Sequence, residues 1–160
     1  LESGLSGEVE RVHATAIALG SRAALIRGAS GAGKSDLAFR CLGLGISGLI
    51  RDTVKLVADD QVLLKQQGPD IVASAPATLR GKLEVRGLGI LEVDAIAEAN
   101  LVLVVDLVSS GGIERYPDPW PEIRILGLEI PLFHLYPFES SSALKLVTAI
   151  TMAPRSRFAP

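Results

Sequence analysis

Gly28-Ala29-Ser30-Gly31-Ala32-Gly33-Lys34-Ser35 satisfies the phosphate-loop pattern G-x-x-x-x-G-K-[ST] at every fixed position. Glycines at these spacings let backbone N–H groups turn inward on phosphate oxygens, and a helix leaving the loop adds the positive end of its dipole. In such a loop Lys34 reaches the β- and γ-phosphates and Ser35 reaches a Mg²⁺ ion. The flanks have the required order. Ala23-Ala24-Leu25-Ile26 reads as a short buried strand entering the loop, and residues 35–42 read as a helix leaving it. The expected fold class is therefore α/β, a P-loop nucleotide-binding core with a mixed β-sheet.

Outward from that core, 160 residues suffice for one domain with a proper core and are too few for two comfortable ones, so a single domain over 1–160 is expected. A net charge of −2 and 4% aromatic residues supply neither the basic excess nor the stacking surface of a nucleic-acid binder. Mean hydropathy is high at +0.37. The longest apolar candidate, residues 41–50, lies between Arg40 and Arg51 and falls far short of the roughly 20 residues a membrane span needs. The first ten residues hold three glutamates and no basic region, unlike a signal peptide. Cys41, the single cysteine, permits no intrachain disulfide and sits among apolar neighbours as a buried, inert thiol, which favours a cytoplasmic setting.

Upstream of the loop, residues 9–19 alternate and end at Gly20-Ser21, a strand-and-turn pattern expected to pair antiparallel with the loop's strand and to carry His13 near the sheet. Downstream, residues 43–53 are a glycine-punctuated connection. Val54-Lys55-Leu56-Val57-Ala58 then reads as a strand ending in Asp59-Asp60. An acid at the rim of the sheet is where P-loop enzymes keep the group that handles Mg²⁺ or positions the nucleophile, and two adjacent acids suggest two jobs. A second strand, Leu101-Val102-Leu103-Val104-Val105, also ends in an acid, Asp106. Spacing alone does not choose between them; Asp59 ranks first because Leu107-Val108 would continue the second strand past Asp106.

Residues 61–74 read as a hairpin turning at Gly68-Pro69. In Leu83-Glu84-Val85-Arg86-Gly87-Leu88-Gly89-Ile90-Leu91, Glu84 and Arg86 stand two apart and would point the same way on a strand. They form either an ordinary surface ion pair or a metal-and-phosphate clamp. Residues 93–99 read as a short helix. Residues 114–121 form a proline-rich loop in which Trp120 covers an apolar patch or contacts a partner. Residues 123–135 read as a hairpin turning near Gly127. Ser140-Ser141-Ser142 offers caps to a last helix over 143–150, and 153–160 is expected to fray.

Several of these pieces resemble one family, HPr kinase/phosphorylase, the bacterial serine kinase acting on the phosphocarrier protein HPr. They are the 28–35 loop, Val57-Ala58-Asp59-Asp60, the Ala75-Pro76 step, residues 83–91, which look like the family signature L-E-[IV]-R-G-[IL]-G-I, and His13, fifteen residues before Gly28. The resemblance implies a fold like that of phosphoenolpyruvate carboxykinase and a hexameric assembly. It implies ATP and Mg²⁺ as cofactors, with Lys34 on the phosphates and Ser35 and Glu84 on the metal, joined by Asp60. Asp59 would take the substrate serine's proton, and would return it when inorganic phosphate attacks phosphoserine. His13 and Arg86 complete the implied catalytic set.

Three departures accompany the likeness. Almost nothing precedes His13, which matches the short proteobacterial form consisting of the catalytic domain; extra residues fall around 43–52; and Phe138-Glu139-Ser140-Ser141-Ser142 stands where the family carries an arginine before the last helix. The rivals are another P-loop kinase with a small-molecule substrate, for which an arginine-rich lid is missing, and a non-catalytic ATP-sensing module, against which Lys34, Asp59 and Glu84 all stand intact.

Overall fold

In the computed structural model, residues 8–154 and the backbone of 157–158 are described. The chain opens with strands β1 (Val9–Val12), β2 (Thr15–Leu19) and β3 (Arg22–Arg27), then helix α1 (Lys34–Leu42) and strand β4 (Val54–Ala58). Two hairpins follow, β5 (Val62–Gln67) with β6 (Asp70–Ser74) and β7 (Lys82–Val85) with β8 (Gly89–Glu92). The long strand β9 (Glu98–Leu107) leads to the hairpin β10 (Glu122–Ile125) and β11 (Leu128–Leu135), helix α2 (Ser142–Met152) and the short strand β12 (Arg157–Phe158).

Ten strands form one mixed sheet whose main path is β1-β5-β6-β9-β3-β2-β4. The long β9 organises it. One edge of β9 pairs parallel with β3 along most of its length. The other edge is shared, its start pairing antiparallel with β6 at Glu98–Asn100 and its end pairing parallel with β11 at Val104–Leu107. Strands β3 and β4 both run antiparallel to β2, which lies between them, so the phosphate loop after β3 and the acids after β4 leave the sheet at the same end.

Strand alternation sorts the core into two faces. Ile17, Leu19, Ala24, Ile26, Leu103 and Val105 point towards Leu37, Ala38 and Cys41 of α1 and Leu146, Val147 and Ile150 of α2. The intervening residues, Ala16, Ala18, Ala23, Leu25 and Val104, join a second cluster with Val62, Leu64, Ile71, Leu128 and Ile130, to which neither α1 nor α2 contributes among the described residues.

Three sequence expectations change. Residues 9–19 are two strands, broken at His13-Ala14: β1 pairs with β5, and only β2 forms the hairpin with β3. Residues 93–99 are extended, not helical, because their backbone is taken by β4: Leu56 N–H donates to Asp94 O and Ile96 N–H donates to Leu56 O. Those two bonds, with the Leu56–Ala95 bridge, override the local helix propensity of Ala and Glu. The last helix begins at Ser142, yet no serine side chain caps it. Ser142 Oγ instead donates to Tyr136 O at 2.7 Å and accepts from Glu139 N–H at 3.0 Å, closing the turn before the helix.

Other expectations hold. The phosphate-loop strand and helix, the 61–74 hairpin and the 123–135 hairpin form as read. Trp120 stacks on Phe133 with ring centroids 5.8 Å apart, as a cover over apolar surface. Of the tail expected to fray, Arg157–Phe158 pairs with β11, while 155–156 and 159–160 lie outside the described residues, as does most of the glutamate-bearing N-terminal stretch. Among the described residues no helix is long and apolar enough to cross a membrane.

Candidate active site

The phosphate loop is shaped by its glycines. Gly31 and Gly33 take φ of +83° and +100°, a region disfavoured for side-chain-bearing residues, and a Cβ on Gly28 would sit 3.1 Å from that of Ala32. Gly33 is the N-cap of α1 and supplies no side chain to cap it, so the first N–H groups of the helix face the loop without a side-chain acceptor. Lys34 Nζ folds back on the loop, donating to Gly28 O at 2.7 Å and Ala29 O at 3.0 Å. Its ammonium is thus held against the loop by two carbonyls, and Lys34 lines the cavity on which the loop opens.

Asp59 sits behind the loop. The register that sets Ala16 opposite Ala58 brings Thr15 opposite Asp59 at the sheet's end. Asp59 is 7% exposed, and its Oδ1 accepts from Ser35 Oγ at 2.6 Å and from Thr15 Oγ1 at 3.0 Å. Its Oδ2 accepts from Glu84 N–H at 3.2 Å, which fastens β7 to the same carboxylate. Thr15, fully buried, escaped sequence reasoning; a lone hydroxyl in the alanine-rich run Ala14-Thr15-Ala16 was the available signal.

Asp60 goes the other way. Its φ of +70° breaks the strand alternation and turns the side chain outward, where it is 62% exposed with Oδ1 3.3 Å from His13 Nδ1. His13, Asp60, Ser35, Lys34, Glu84 and Arg86 all line one cavity of about 440 Å³ that opens on the phosphate loop. The structure therefore brings these six expected residues together with Ser30, Gly31 and Gly33 of the loop, and Asp59 reaches the cavity through Ser35, whereas Gly28, Ala29 and Ala32 do not line it. Glu84 and Arg86 are not a surface ion pair: Glu84 is on β7, Arg86 lies in the turn after it, and no ion pair joins them among the described residues. The competitor Asp106 lies within β9 and takes a bidentate hydrogen bond from Arg27, at 2.7 and 2.9 Å, which holds the Arg27 pKa above its usual value. It is a structural ion pair at the start of the loop.

The candidate donors here are hard oxygens: the Ser35 hydroxyl, the Asp59 carboxylate bonded to it, and the carboxylate of Glu84, which lines the same cavity as Ser35. Among the described residues no three His, Cys, Asp or Glu side chains form an all-protein cage. Mg²⁺ is commonly held by one or two carboxylates together with phosphate oxygens and water, so this donor set fits Mg²⁺ arriving with a nucleotide.

A strand, a glycine-rich loop and a helix on a mixed sheet, with a lysine and a serine at the loop's end and acids at the neighbouring strand tip, are the arrangement characteristic of the P-loop class. The chain belongs to the HPr serine kinase C-terminal domain family, whose model matches residues 6–156. It is 34% identical over 142 residues to the HPr kinase/phosphorylase of Cupriavidus metallidurans, covering 82% of this chain and 41% of that protein. The same-named protein of Mycoplasma mycoides is 29% identical over 130 residues, covering 74% of this chain and 39% of the relative. The chain thus spans about two fifths of the length of these relatives. The HPr(Ser) kinase/phosphatase structure from Coxiella burnetii superposes with a TM-score of 0.71 at 23% identity, over 89% of this chain and 88% of that one, and shares the fold.

Proposed function

We propose that this domain transfers the γ-phosphoryl group of ATP, with Mg²⁺, to a serine hydroxyl of an HPr-type phosphocarrier protein. The observation that supports this most is the convergence of the phosphate loop, the His13–Asp60 pair and Glu84 on one cavity. Phosphoryl transfer needs little covalent chemistry from the protein; it needs positioning, charge neutralisation and a base in line with the incoming hydroxyl.

The loop amides and Lys34 hold the phosphates. Ser35, Asp59 and Glu84 are the metal side, and bound Mg²⁺ would neutralise charge on the β- and γ-phosphate oxygens. Arg86 adds positive charge at the cavity wall. The two acids exchange the roles expected from the sequence. Asp59 is buried and already accepts three hydrogen bonds, which leaves it poorly placed to meet a substrate hydroxyl. Asp60 is open to the cavity and steadied by His13. In this reading the serine oxygen attacks the γ-phosphorus, the bond to the β-phosphate oxygen breaks, the serine proton passes to the Asp60 carboxylate, and ADP leaves.

Incubation with γ-labelled ATP, Mg²⁺ and an HPr-like carrier tests the reading. Label on a carrier serine is the expected result. Label on a metabolite would point instead to a small-molecule kinase, and bound but unspent ATP to a sensing module.

A further inference from the structure

Phe138 is a large apolar side chain held in the open. It is 61% exposed and lines the phosphate-loop cavity. Its ring edge comes within 3.4 and 3.5 Å of the position that a Cβ on Gly33 would occupy, so the ring stands directly over the loop's last glycine. Burying such a ring is favourable, and an exposed aromatic fixed at a cavity mouth is a surface without its partner.

The ring's position is enforced. Arg40, on the phosphate-loop helix, donates to Asp36 Oδ2 at 3.0 Å and to Pro137 O at 2.6 Å, tying the helix's first turn to the residue before Phe138. Tyr136 packs edge-on to the ring, with centroids 5.7 Å apart and planes at 82°. Ser142 closes the same turn through Tyr136 O and Glu139 N–H.

Resting on the phosphate-loop reading above, we infer that Phe138 is the platform on which the purine or pyrimidine base of the bound nucleotide stacks. A loop that grips only phosphates cannot recognise a nucleoside. Phe138 comes from the β11–α2 connection and touches the loop at Gly33, whereas the acids and His13 come from the ends of β1, β4 and β7. The aromatic is therefore attached to the helix that receives the phosphate tail rather than to the strands that carry the proton-accepting acid. A π-face is indifferent to base identity, so the platform confers affinity without choosing between adenine and guanine.

The test compares ATP, GTP and inorganic tripolyphosphate binding by calorimetry in the unaltered protein, Phe138→Ala and Phe138→Trp. Loss of one aromatic–base stack weakens binding about tenfold. Phe138→Ala should weaken ATP and GTP alike by that factor and leave tripolyphosphate within about twofold. Phe138→Trp should restore both nucleotides. Equal weakening of all three ligands, or of none, overturns the stack while leaving the phosphate-loop reading in place. Unchanged ATP affinity with weakened carrier binding would assign the ring to the protein substrate instead. If the unaltered protein bound neither ATP nor tripolyphosphate, the phosphate-loop reading itself would fall and the stack with it.

Discussion

Ser35 and Asp59, twenty-four residues apart, are joined by a 2.6 Å hydrogen bond that ties the first turn of the phosphate-loop helix to the tip of β4. Charge assistance makes such a bond stronger than a neutral one. Ser35→Ala removes the donor but leaves Asp59 its bonds from Thr15 and the Glu84 amide. Expected is a stability loss of about 1 kcal/mol in urea denaturation, together with loss of the gain in ATP affinity that Mg²⁺ gives the unaltered protein. ATP titrations with and without Mg²⁺ read the second effect.

The neighbouring acids should separate cleanly. Asp60→Asn is expected to leave ATP binding within about twofold and to lower the transfer rate by at least about a hundredfold, as loss of a general base does. Asp59→Asn should instead abolish the Mg²⁺ dependence of binding and lower the unfolding free energy by about 1–3 kcal/mol, because a buried acceptor of three donors is altered. Transfer surviving in Asp60→Asn while lost in Asp59→Asn with binding intact would restore the assignment read from the sequence.

Asp106→Asn provides the contrast. It breaks the charge of the Arg27 pair, both of whose side chains are about one-third exposed, so screening limits the cost to about 1 kcal/mol. Transfer to the carrier should stay within a few-fold of the unaltered protein, measured by initial rates at saturating ATP.

Burial pushes the Cys41 thiol up to about 12 from an ordinary 9.0, with the Arg40 charge opposing only in part. The folded thiol therefore keeps its proton where the unfolded one loses it. The associated stability is fully present below pH 9 and is lost as pH rises from 9 towards 12. Expected are negligible alkylation of the native protein at pH 8, rapid alkylation in urea, and weakened alkaline unfolding of Cys41→Ala relative to the parent. Fast labelling under native conditions would contradict the buried placement, in which Sγ lies 3.7 Å from Ala143 O.

Legibility followed the kind of physics each segment obeys. Gly28, Gly31, Gly33, Lys34 and Ser35 could be read because backbone conformation and phosphate chemistry restrict those positions to few residue types. The hairpins could be read because their turns carry their own chemistry. Residues 93–99 could not, since the bonds that hold them extended come from Leu56, far off in the chain. The different settings of Asp59, buried, and Asp60, exposed beside His13, were hidden for a related reason. A strand's alternation tells which way Asp59 faces, but the left-handed turn at Asp60 appears in no periodicity. Thr15 and Phe138 carry no motif at all; their importance is set by what stands opposite them.

The strand β9, wedged beside the loop's own strand, has a consequence for biosynthesis. Its residues 100–106 supply one of the two ladders that frame β3, yet they follow the glycine-rich turn by some seventy positions. A nascent chain that has left the ribosome only through β8 therefore presents the glycine-rich turn with one wall missing. Truncated chains ending before Glu98 should be unable to retain a nucleotide, and acquisition of that ability during translation should come late and all at once.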